Sequence, residues 1–469
     1  MLCDDGDGLA HRAARRLMRL GYRNLAVLAG GVQGWAAAGY ELFSGVNVPS
    51  KAFGEFVEHE AGTPRLGAAE VKALIDRAAD MIVLDSRPLD EYRRMSIPGG
   101  IDCPGGELVY RFHDAVRSPD TLVVVNCAGR TRSIIGAQSL IDAGVPNRVV
   151  SLENGTIGWH LAGFALAQGE TRQVPAPTAA GLGAARLAAA RVAECCGVKI
   201  IGRDVLQRFR SEHKARTLYI LDVRTPEEYA AGHVPGARSA PGGQLVQATD
   251  AFMATRNARV VLVDSDGVRA RMTASWLARM GLPEVFVLES GNGMTELGGE
   301  AVRVRGLDRA VATIGARELA ALRARDAAVV IDLDTSRAYR AQHIPGAWFA
   351  IRARLDEALP KLPGEGMLVL TSSDGVLAAL AAPELAALTR RPVKALSGGT
   401  AAWRAAGLPL AAGAERMADE PIDVWQRPYD RSGGVEAAMA DYLRWEVALV
   451  DQVKRDGDAR FATLPRAKA

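Results

Sequence analysis

The chain repeats itself, and this limits what it can fold into more than any other feature. A short apolar run ending in aspartate, followed by a turn, a tyrosine and a Pro-Gly step, occurs at residues 84–99, 221–237 and 331–347. A glycine-rich turn followed by a tryptophan occurs at residues 30–35, 154–159 and 398–403, with a weaker version, lacking the tryptophan, at residues 290–293. Self-similarity of this kind indicates one structural unit used several times. We therefore predict four copies, of which the first contains only the second half of a unit.

The order of patterns inside a copy predicts an α/β fold. Short apolar runs bounded by turn residues alternate with amphipathic, helix-like stretches. Examples of these runs are residues 81–84, 122–125 and 149–150. Such alternation is typical of a mostly parallel sheet with helices on both faces. Ligands of these sheets bind at the carboxyl ends of the strands, so chemistry is expected there.

The repeat and the turn-rich segments between the copies predict the domain boundaries. The predicted segments are residues 1–45 (the second half of a domain), 63–170 (a complete domain), 197–302 and 306–412 (two further domains), and 413–469 (a tail with a helix). Since the first segment lacks its opening strands, we expect either that the natural chain starts upstream of Met1 or that the fragment docks on a neighbour. Residues 435–456 have aromatic side chains at helical spacing, which predicts a helix that packs as a strap across a domain.

Aligning the copies places Cys3, Cys127, Asp264 and Ser372 at one shared position. Cys127 follows an apolar run and precedes a helix-like stretch. Unpaired N–H groups at a helix N-terminus favour an anion and therefore a thiolate. Arg130 and Arg132 add positive charge to the same loop, so a nucleophile is favoured over a buried structural cysteine. Neither a carboxylate nor a hydroxyl can replace a thiolate as the nucleophile, so the third and fourth copies are predicted to be degenerate and kept for packing, recognition or regulation.

Three segments together resemble one domain of the rhodanese-type sulfurtransferases. Residues 127–133 resemble the active-site loop of that family, residues 84–99 its strand, turn and helix entry, and residues 154–159 its closing glycine-rich turn. The resemblance covers residues 63–170 and implies tandem rhodanese-like domains. It implies that Cys127 takes sulfane sulfur from thiosulfate or a similar donor and passes it, as a persulfide, to cyanide or a thiol. Two covalent half-reactions predict ping-pong kinetics.

The resemblance also suggests roles for the residues around the nucleophile. The predicted binding residues for the donor and the persulfide are Ala128, Gly129, Arg130, Thr131, Arg132 and Ser133. Arg132 is expected to stabilise the anionic donor with help from Arg130, and the amides of residues 128–132 to cradle the persulfide. Ser133 is expected to cap the following helix or to donate a hydrogen bond to the sulfur. Asp85 and Arg87 are expected to brace the loop.

Other functions use similar residues. The corresponding loops of cysteine phosphatases and arsenate reductases resemble the pattern Cys-x5-Arg. Residues 127–132 have the shorter pattern Cys-x4-Arg, which suits a single sulfur atom. Mercaptopyruvate-type enzymes have a loop that resembles Cys-Gly-x-Gly-Val-Thr, which residues 127–132 do not match. A sulfur-relay or binding scaffold, in which the inactive copies recruit a partner, is a further alternative. The physiological donor and acceptor and the oligomeric state stay open.

The remaining cysteines are weaker candidates. Cys3 is a possible second nucleophile, but residues 4–8 are acidic, and carboxylates disfavour a thiolate and repel anionic donors. Cys103 is predicted to be a small buried core residue, and a role as a resolving thiol is the less favoured alternative. The adjacent Cys195 and Cys196 are predicted to be core residues or incidental thiols. No spacing of Cys and His suggests a metal site, and no cofactor is expected.

The composition of the chain limits which classes of binding partner are expected. The formal net charge is +3 over 469 residues and the arginines are scattered, which makes nucleic acid or an anionic membrane an unfavoured partner. No apolar run is long enough to span a membrane, and five cysteines make no disulfide framework, so a cytoplasmic location is predicted. The expected partners are a small anionic sulfur donor and a small thiol or cyanide, with an acceptor protein as a further candidate.

Overall fold

The computed structural model of the chain describes residues 1–289, 293–300, 304–307, 310–431 and 433–464. The weaker glycine-rich turn predicted at residues 290–293 lies outside these residues except for Gly293, and so does the end of the predicted tail. Two compact units are present. Unit 1 combines residues 1–42 with residues 302–426, and unit 2 combines residues 43–301 with residues 427–469.

The opening fragment belongs to unit 1. It contains helices α1 (Leu9–Arg19) and α2 (Gly31–Ala37). A single parallel bridge between Leu2 and Val27 is the strand pairing described for this fragment. Arg16 of α1 pairs with Glu384 at 2.6 Å, so the fragment packs on the fourth copy within the same unit.

The second copy is a five-stranded parallel sheet with helices around it. Its elements are α3 (Val48–Ala61), β1 (Arg65–Leu66), α4 (Ala68–Asp76), β2 (Met81–Asp85), α5 (Leu89–Arg94), β3 (Ile101–Asp102), α6 (Leu108–Ala115), β4 (Leu122–Asn126), α7 (Thr131–Asp142), β5 (Val149–Leu152) and α8 (Gly155–Leu161). The strand order is β1-β5-β4-β2-β3. Val123, Val124 and Val125 of β4 are fully buried, as expected for a central strand covered on both faces.

The third copy repeats this arrangement in unit 2. Its elements are α9 (Ala179–Cys195), β6 (Lys199–Ile201), α10 (Arg203–Ser211), β7 (Leu218–Asp222), α11 (Pro226–Ala231), β8 (Arg238–Ser239), α12 (Gly242–Gln247), α13 (Thr249–Phe252), β9 (Arg259–Val263), α14 (Arg269–Arg279) and β10 (Val285–Leu288). The strand order, β6-β10-β9-β7-β8, matches that of the second copy. The two copies share a core in which Val268 and Met272 pack with Leu108 and Val109.

The fourth copy lies in unit 1. Its elements are β11 (Thr313–Ile314), α15 (Ala316–Arg323), β12 (Ala328–Asp332), α16 (Ser336–Ala341), β13 (Trp348–Phe349), α17 (Leu355–Ala358), β14 (Met367–Thr371), α18 (Val376–Ala386), β15 (Val393–Leu396) and α19 (Gly399–Ala405). The strand order is β11-β15-β14-β12-β13. The last helix of the chain, α20 (Val435–Asp456), belongs to unit 2.

The predicted fold class is confirmed: three parallel sheets are flanked by helices and a helical tail follows. The tail that we predicted as one segment, residues 413–469, is divided, because residues up to 426 belong to unit 1 and α20 to unit 2. Among the described residues, no helix is both long and apolar enough to cross a membrane.

Candidate active site

Cys127 lies at the carboxyl end of β4, directly before α7. Its side chain is only 2% exposed. The thiol donates to Ser133 Oγ at 3.4 Å, and Ser133 Oγ donates to the Arg130 carbonyl oxygen at 2.8 Å. Ser133 therefore orients the thiol from within the first turn of α7. Its hydroxyl oxygen accepts the hydrogen bond from the Cys127 S–H group.

The backbone around Gly155 packs against the loop that begins at Cys127. The Thr156 N–H donates to the Cys127 carbonyl at 2.9 Å, and the Ile157 N–H donates to the Ala128 carbonyl at 3.0 Å. Gly155 has φ +54°, and a Cβ on it would lie 2.3 Å from the Cys127 carbonyl oxygen. Only glycine fits this approach. The glycine-rich turn of the repeat therefore has a direct role in shaping the loop.

The backbone amides of residues 128–133 donate to no acceptor among the described residues. In the third copy, the carboxylate of Asp264, aligned with Cys127, fills the same position. It accepts hydrogen bonds from the N–H groups of Gly267 at 3.0 Å and Ala270 at 2.9 Å. The loop of the third copy thus carries a built-in anion. A loop of this shape can therefore turn its amides toward a negative charge at the position aligned with Cys127.

Arg130 has a different environment from the one we expected. Its Nε donates to Glu55 Oε1 at 2.7 Å and one terminal nitrogen to Glu55 Oε2 at 2.8 Å, while Glu58 accepts a further short hydrogen bond. The remaining terminal nitrogen donates to Asn154 Oδ1 at 3.1 Å. Two carboxylates of α3 therefore compensate the charge of this guanidinium and fix its position. The sequence could not show this, because α3 precedes the domain that the repeat defines.

Arg132 is also paired. Its two terminal nitrogens donate to Glu91 of α5 at 3.0 and 2.8 Å, and one of them also donates to Gln244 of α12 at 3.2 Å. Burial alone would raise the pKa of Glu91, but the charge and hydrogen bonds of Arg132, with further help from Arg87 and Arg427, lower it to about 2. Glu91 is therefore ionised at neutral pH, and Arg132 carries a charge that is largely compensated.

The third copy has an arginine at the aligned position, and a residue of the second copy contacts it. Arg269, aligned with Arg132, donates to Glu228 at 2.8 Å and to Glu107 of the second copy at 2.8 Å. Each copy thus contributes one side chain, Gln244 or Glu107, to the arginine of the other. The third copy therefore helps to position Arg132 by direct contact.

Asp85 and Arg87 form a buried pair below the loop. Arg87 donates to both carboxylate oxygens of Asp85, at 2.8 and 2.7 Å, and to the Met95 carbonyl at 2.6 Å. Asn126, the residue before Cys127, donates to Asp85 Oδ2 at 2.7 Å. Both side chains touch the strand ends and not the thiol, which is the geometry of a brace.

Helix α20 lies over the loop, which sequence reasoning did not predict. A Cβ built on Gly129 would lie 3.1 Å from Glu446 Oε2, 3.2 Å from Tyr442 Cε1 and 4.0 Å from Leu443 Cδ2. Burial, Glu446 and Cys127 raise the pKa of the Tyr442 phenol well above its usual range, so the phenol is neutral. The aromatic face of residues 435–456 indicated that this helix packs against another surface. It did not indicate which surface.

The other cysteines lie in different settings. Cys3 is exposed, and two N–H groups that follow it are already occupied, since Asp4 accepts from Gly6 at 3.0 Å and from Ala10 at 2.7 Å. Cys103 is buried, and this burial raises the pKa of its thiol. Within the described ranges, no group of three or more His, Cys, Asp or Glu side chains is placed to hold a metal ion.

The fourth copy shows what happens when the brace is lost, and this yields a stability prediction. Asp332, aligned with Asp85, has Asp334 where Arg87 stands in the second copy, and burial raises its pKa to about 7. A raised pKa means that the folded state binds more protons than the unfolded state between about pH 4 and pH 7, so this group lowers stability as pH rises. We expect Asp332→Asn to be more stable than wild type by at least about 1 kcal/mol at about pH 8, with little difference at about pH 4.

Urea denaturation of both chains at several pH values measures this difference. Asp374→Asn, which changes an exposed carboxylate in the same copy, is the matched control and should show no such trend. A stability difference between Asp332→Asn and wild type that does not depend on pH would contradict the prediction.

Comparison with known proteins gives three results. A sequence profile described as the rhodanese-like domain matches residues 67–162, 204–292 and 315–406. The crystal structure of a thiosulfate sulfurtransferase from Pseudomonas aeruginosa is similar with a TM-score of 0.96 and 49% identity, over 99% of this chain and 88% of that one. The uncharacterised protein YqhL of Bacillus subtilis is 32% identical over 85 residues, which are 18% of this chain and 64% of that protein.

Proposed function

Because the chain belongs to the rhodanese-like domain family, we propose that it is a sulfurtransferase that carries sulfur on Cys127 as a persulfide. The likeness to a thiosulfate sulfurtransferase over nearly its whole length supports sulfurtransferase activity. It also favours thiosulfate as the donor.

One observation carries the proposal: the loop of Cys127 has free amides where the third copy has a carboxylate. In the first half-reaction the Cys127 thiolate attacks the outer sulfur of thiosulfate. A new S–S bond forms, the S–S bond of thiosulfate breaks, and sulfite leaves with its electron pair. The resulting persulfide is an anion at the centre of the loop, where the amides stabilise it. In the second half-reaction an acceptor attacks the outer sulfur and Cys127 returns to the thiolate.

The environment of the arginines adjusts the roles that the sequence suggested. Glu91 compensates the charge of Arg132, and Glu55 and Glu58 compensate that of Arg130. The loop amides therefore supply most of the anion stabilisation, while the two arginines hold the loop in shape. The third copy supports the site through Gln244.

Sulfur loading read by intact mass tests the proposal on the full-length chain. Thiosulfate should add one sulfur atom, and cyanide added afterwards should remove it with formation of thiocyanate. An aryl phosphate, offered as a phosphatase substrate, should not be hydrolysed. The proposal is wrong if folded protein gains no sulfur from thiosulfate, or if it hydrolyses the phosphate ester at Cys127.

A further inference from the structure

Glu446 of α20 is fully buried, and its two oxygens have very different surroundings. Oε1 accepts from Lys51 Nζ at 2.6 Å, from Tyr442 OH at 3.0 Å and from Thr131 Oγ1 at 3.3 Å. Oε2 has no hydrogen-bond donor among the described residues. A buried carboxylate oxygen without a donor is costly, and in native structures it calls for an explanation.

The unpartnered oxygen lies against the Cys127 loop. It is 3.1 Å from the position that a Cβ on Gly129 would occupy, so it faces the second residue after the nucleophile. Titratable groups beside Glu446 include Lys51 and Glu55 from α3 and Tyr442 from α20. Tyr442 in turn lies close enough to Cys127 and Arg132 for their charges to act on the pKa of its phenol. The orphaned oxygen thus lies beside the loop that carries Cys127.

The chemistry of this oxygen selects its ligand. An anionic nucleophile such as sulfite would meet a second negative charge, whereas a neutral thiol can donate its S–H to the oxygen. We propose that the second half-reaction uses a small neutral thiol as sulfur acceptor, and that Glu446 Oε2 accepts the proton of that thiol. This deepens the proposed function and rests on it, since a persulfide on Cys127 is its starting point.

The step balances without any further reagent. The thiol R–SH gives its proton to Glu446, and its sulfur attacks the outer sulfur of the Cys127 persulfide. The bond between the two persulfide sulfurs breaks, and its electron pair stays on Cys127 as the thiolate. The protonated Glu446 then gives the proton to the released R–S–S⁻, which leaves as R–S–SH. Glu446 and Cys127 both return to their starting charges.

The substitution Glu446→Gln in the full-length chain tests this role. After loading with thiosulfate, the rate of discharge to 2-mercaptoethanol is divided by the rate of discharge to sulfite, which attacks without giving up a proton. At about pH 7 we expect this ratio to fall at least about tenfold in Glu446→Gln relative to wild type. Near about pH 9.5 it should recover, because solution then supplies the thiolate. Asp451→Asn, an exposed carboxylate on the same helix, is the control and should keep the wild-type ratio.

The outcomes separate the two proposals. A ratio that is unchanged in Glu446→Gln, or one that falls equally at all pH values, overturns the proton-accepting role, since a packing defect would not depend on pH. Failure of wild-type protein to load at all would instead overturn the proposed function. Should Glu446→Gln fail to fold because Lys51 is left unpaired, the double variant Lys51→Met/Glu446→Gln removes both charges and is measured in the same way.

Discussion

Replacement of Cys127 by serine should abolish sulfur loading from thiosulfate, with the rate falling at least about a thousandfold. A hydroxyl is far less ionised than a thiol near neutral pH and cannot form a persulfide, so neither half-reaction can begin. The fold should persist, because serine can donate to Ser133 as the thiol does. Intact mass after thiosulfate treatment measures the loading, and circular dichroism checks the fold.

The matched control is Cys3→Ser, which changes the other cysteine at the shared position of the repeat. Its thiol is exposed, and Asp4 already occupies two N–H groups that follow it, so loading should equal that of wild type. Persistent loading in Cys127→Ser that disappears in the double variant would show that Cys3, and not Cys127, carries the sulfur.

The substitution Gly129→Asp should lower the rate of loading at least about a hundredfold while leaving Cys127 in place. In the third copy, Asp266 at this position accepts from the amides of Val268 at 2.8 Å and Arg269 at 3.0 Å. An aspartate at position 129 should occupy the loop amides in the same way and exclude the persulfide. It would also meet Glu446 3.1 Å from its Cβ. Two carboxylates about 4 Å apart near a protein surface repel by about 4 kcal/mol.

Gly183→Asp provides the comparison for this substitution. Gly183 lies in α9, and a Cβ on it would have no atom within 4 Å. This variant should lose a little helix stability and load at the wild-type rate. Stopped-flow measurement of thiosulfate consumption compares the three proteins. Wild-type loading by Gly129→Asp would mean that the amides of the loop do not hold the sulfur.

The positions of the strands, of the loop and of Cys127 could be predicted because they depend on local pattern. The repeat placed Cys127 after a valine-rich strand, and the structure has it at the end of β4 before α7. The Asp85–Arg87 brace joins residues two positions apart, so sequence alone suggested it. The family resemblance rested on these same local segments and is confirmed.

The electrostatics of the loop could not be predicted in the same way. Two arginines in six residues suggested an open positive site, but Arg130 binds Glu55, 75 positions away, and Arg132 binds Glu91, 41 positions away. Gln244, from another copy, is 112 positions from Arg132. A charge in a sequence has no visible partner, because tertiary packing decides which carboxylate lies beside it.

Hydrophobic periodicity and turn residues act over a few neighbouring positions, so the repeated parallel α/β architecture and the helix-terminal loop that begins at Cys127 could be predicted from the sequence. The surroundings of that loop depend on tertiary packing. Lys51 and Glu446 are 395 positions apart in the chain, yet they pair at 2.6 Å over Thr131. The amphipathic pattern of α20 required a packing partner, but contacts this distant along the chain depend on how the whole unit folds. The packing partner includes the loop that carries Cys127.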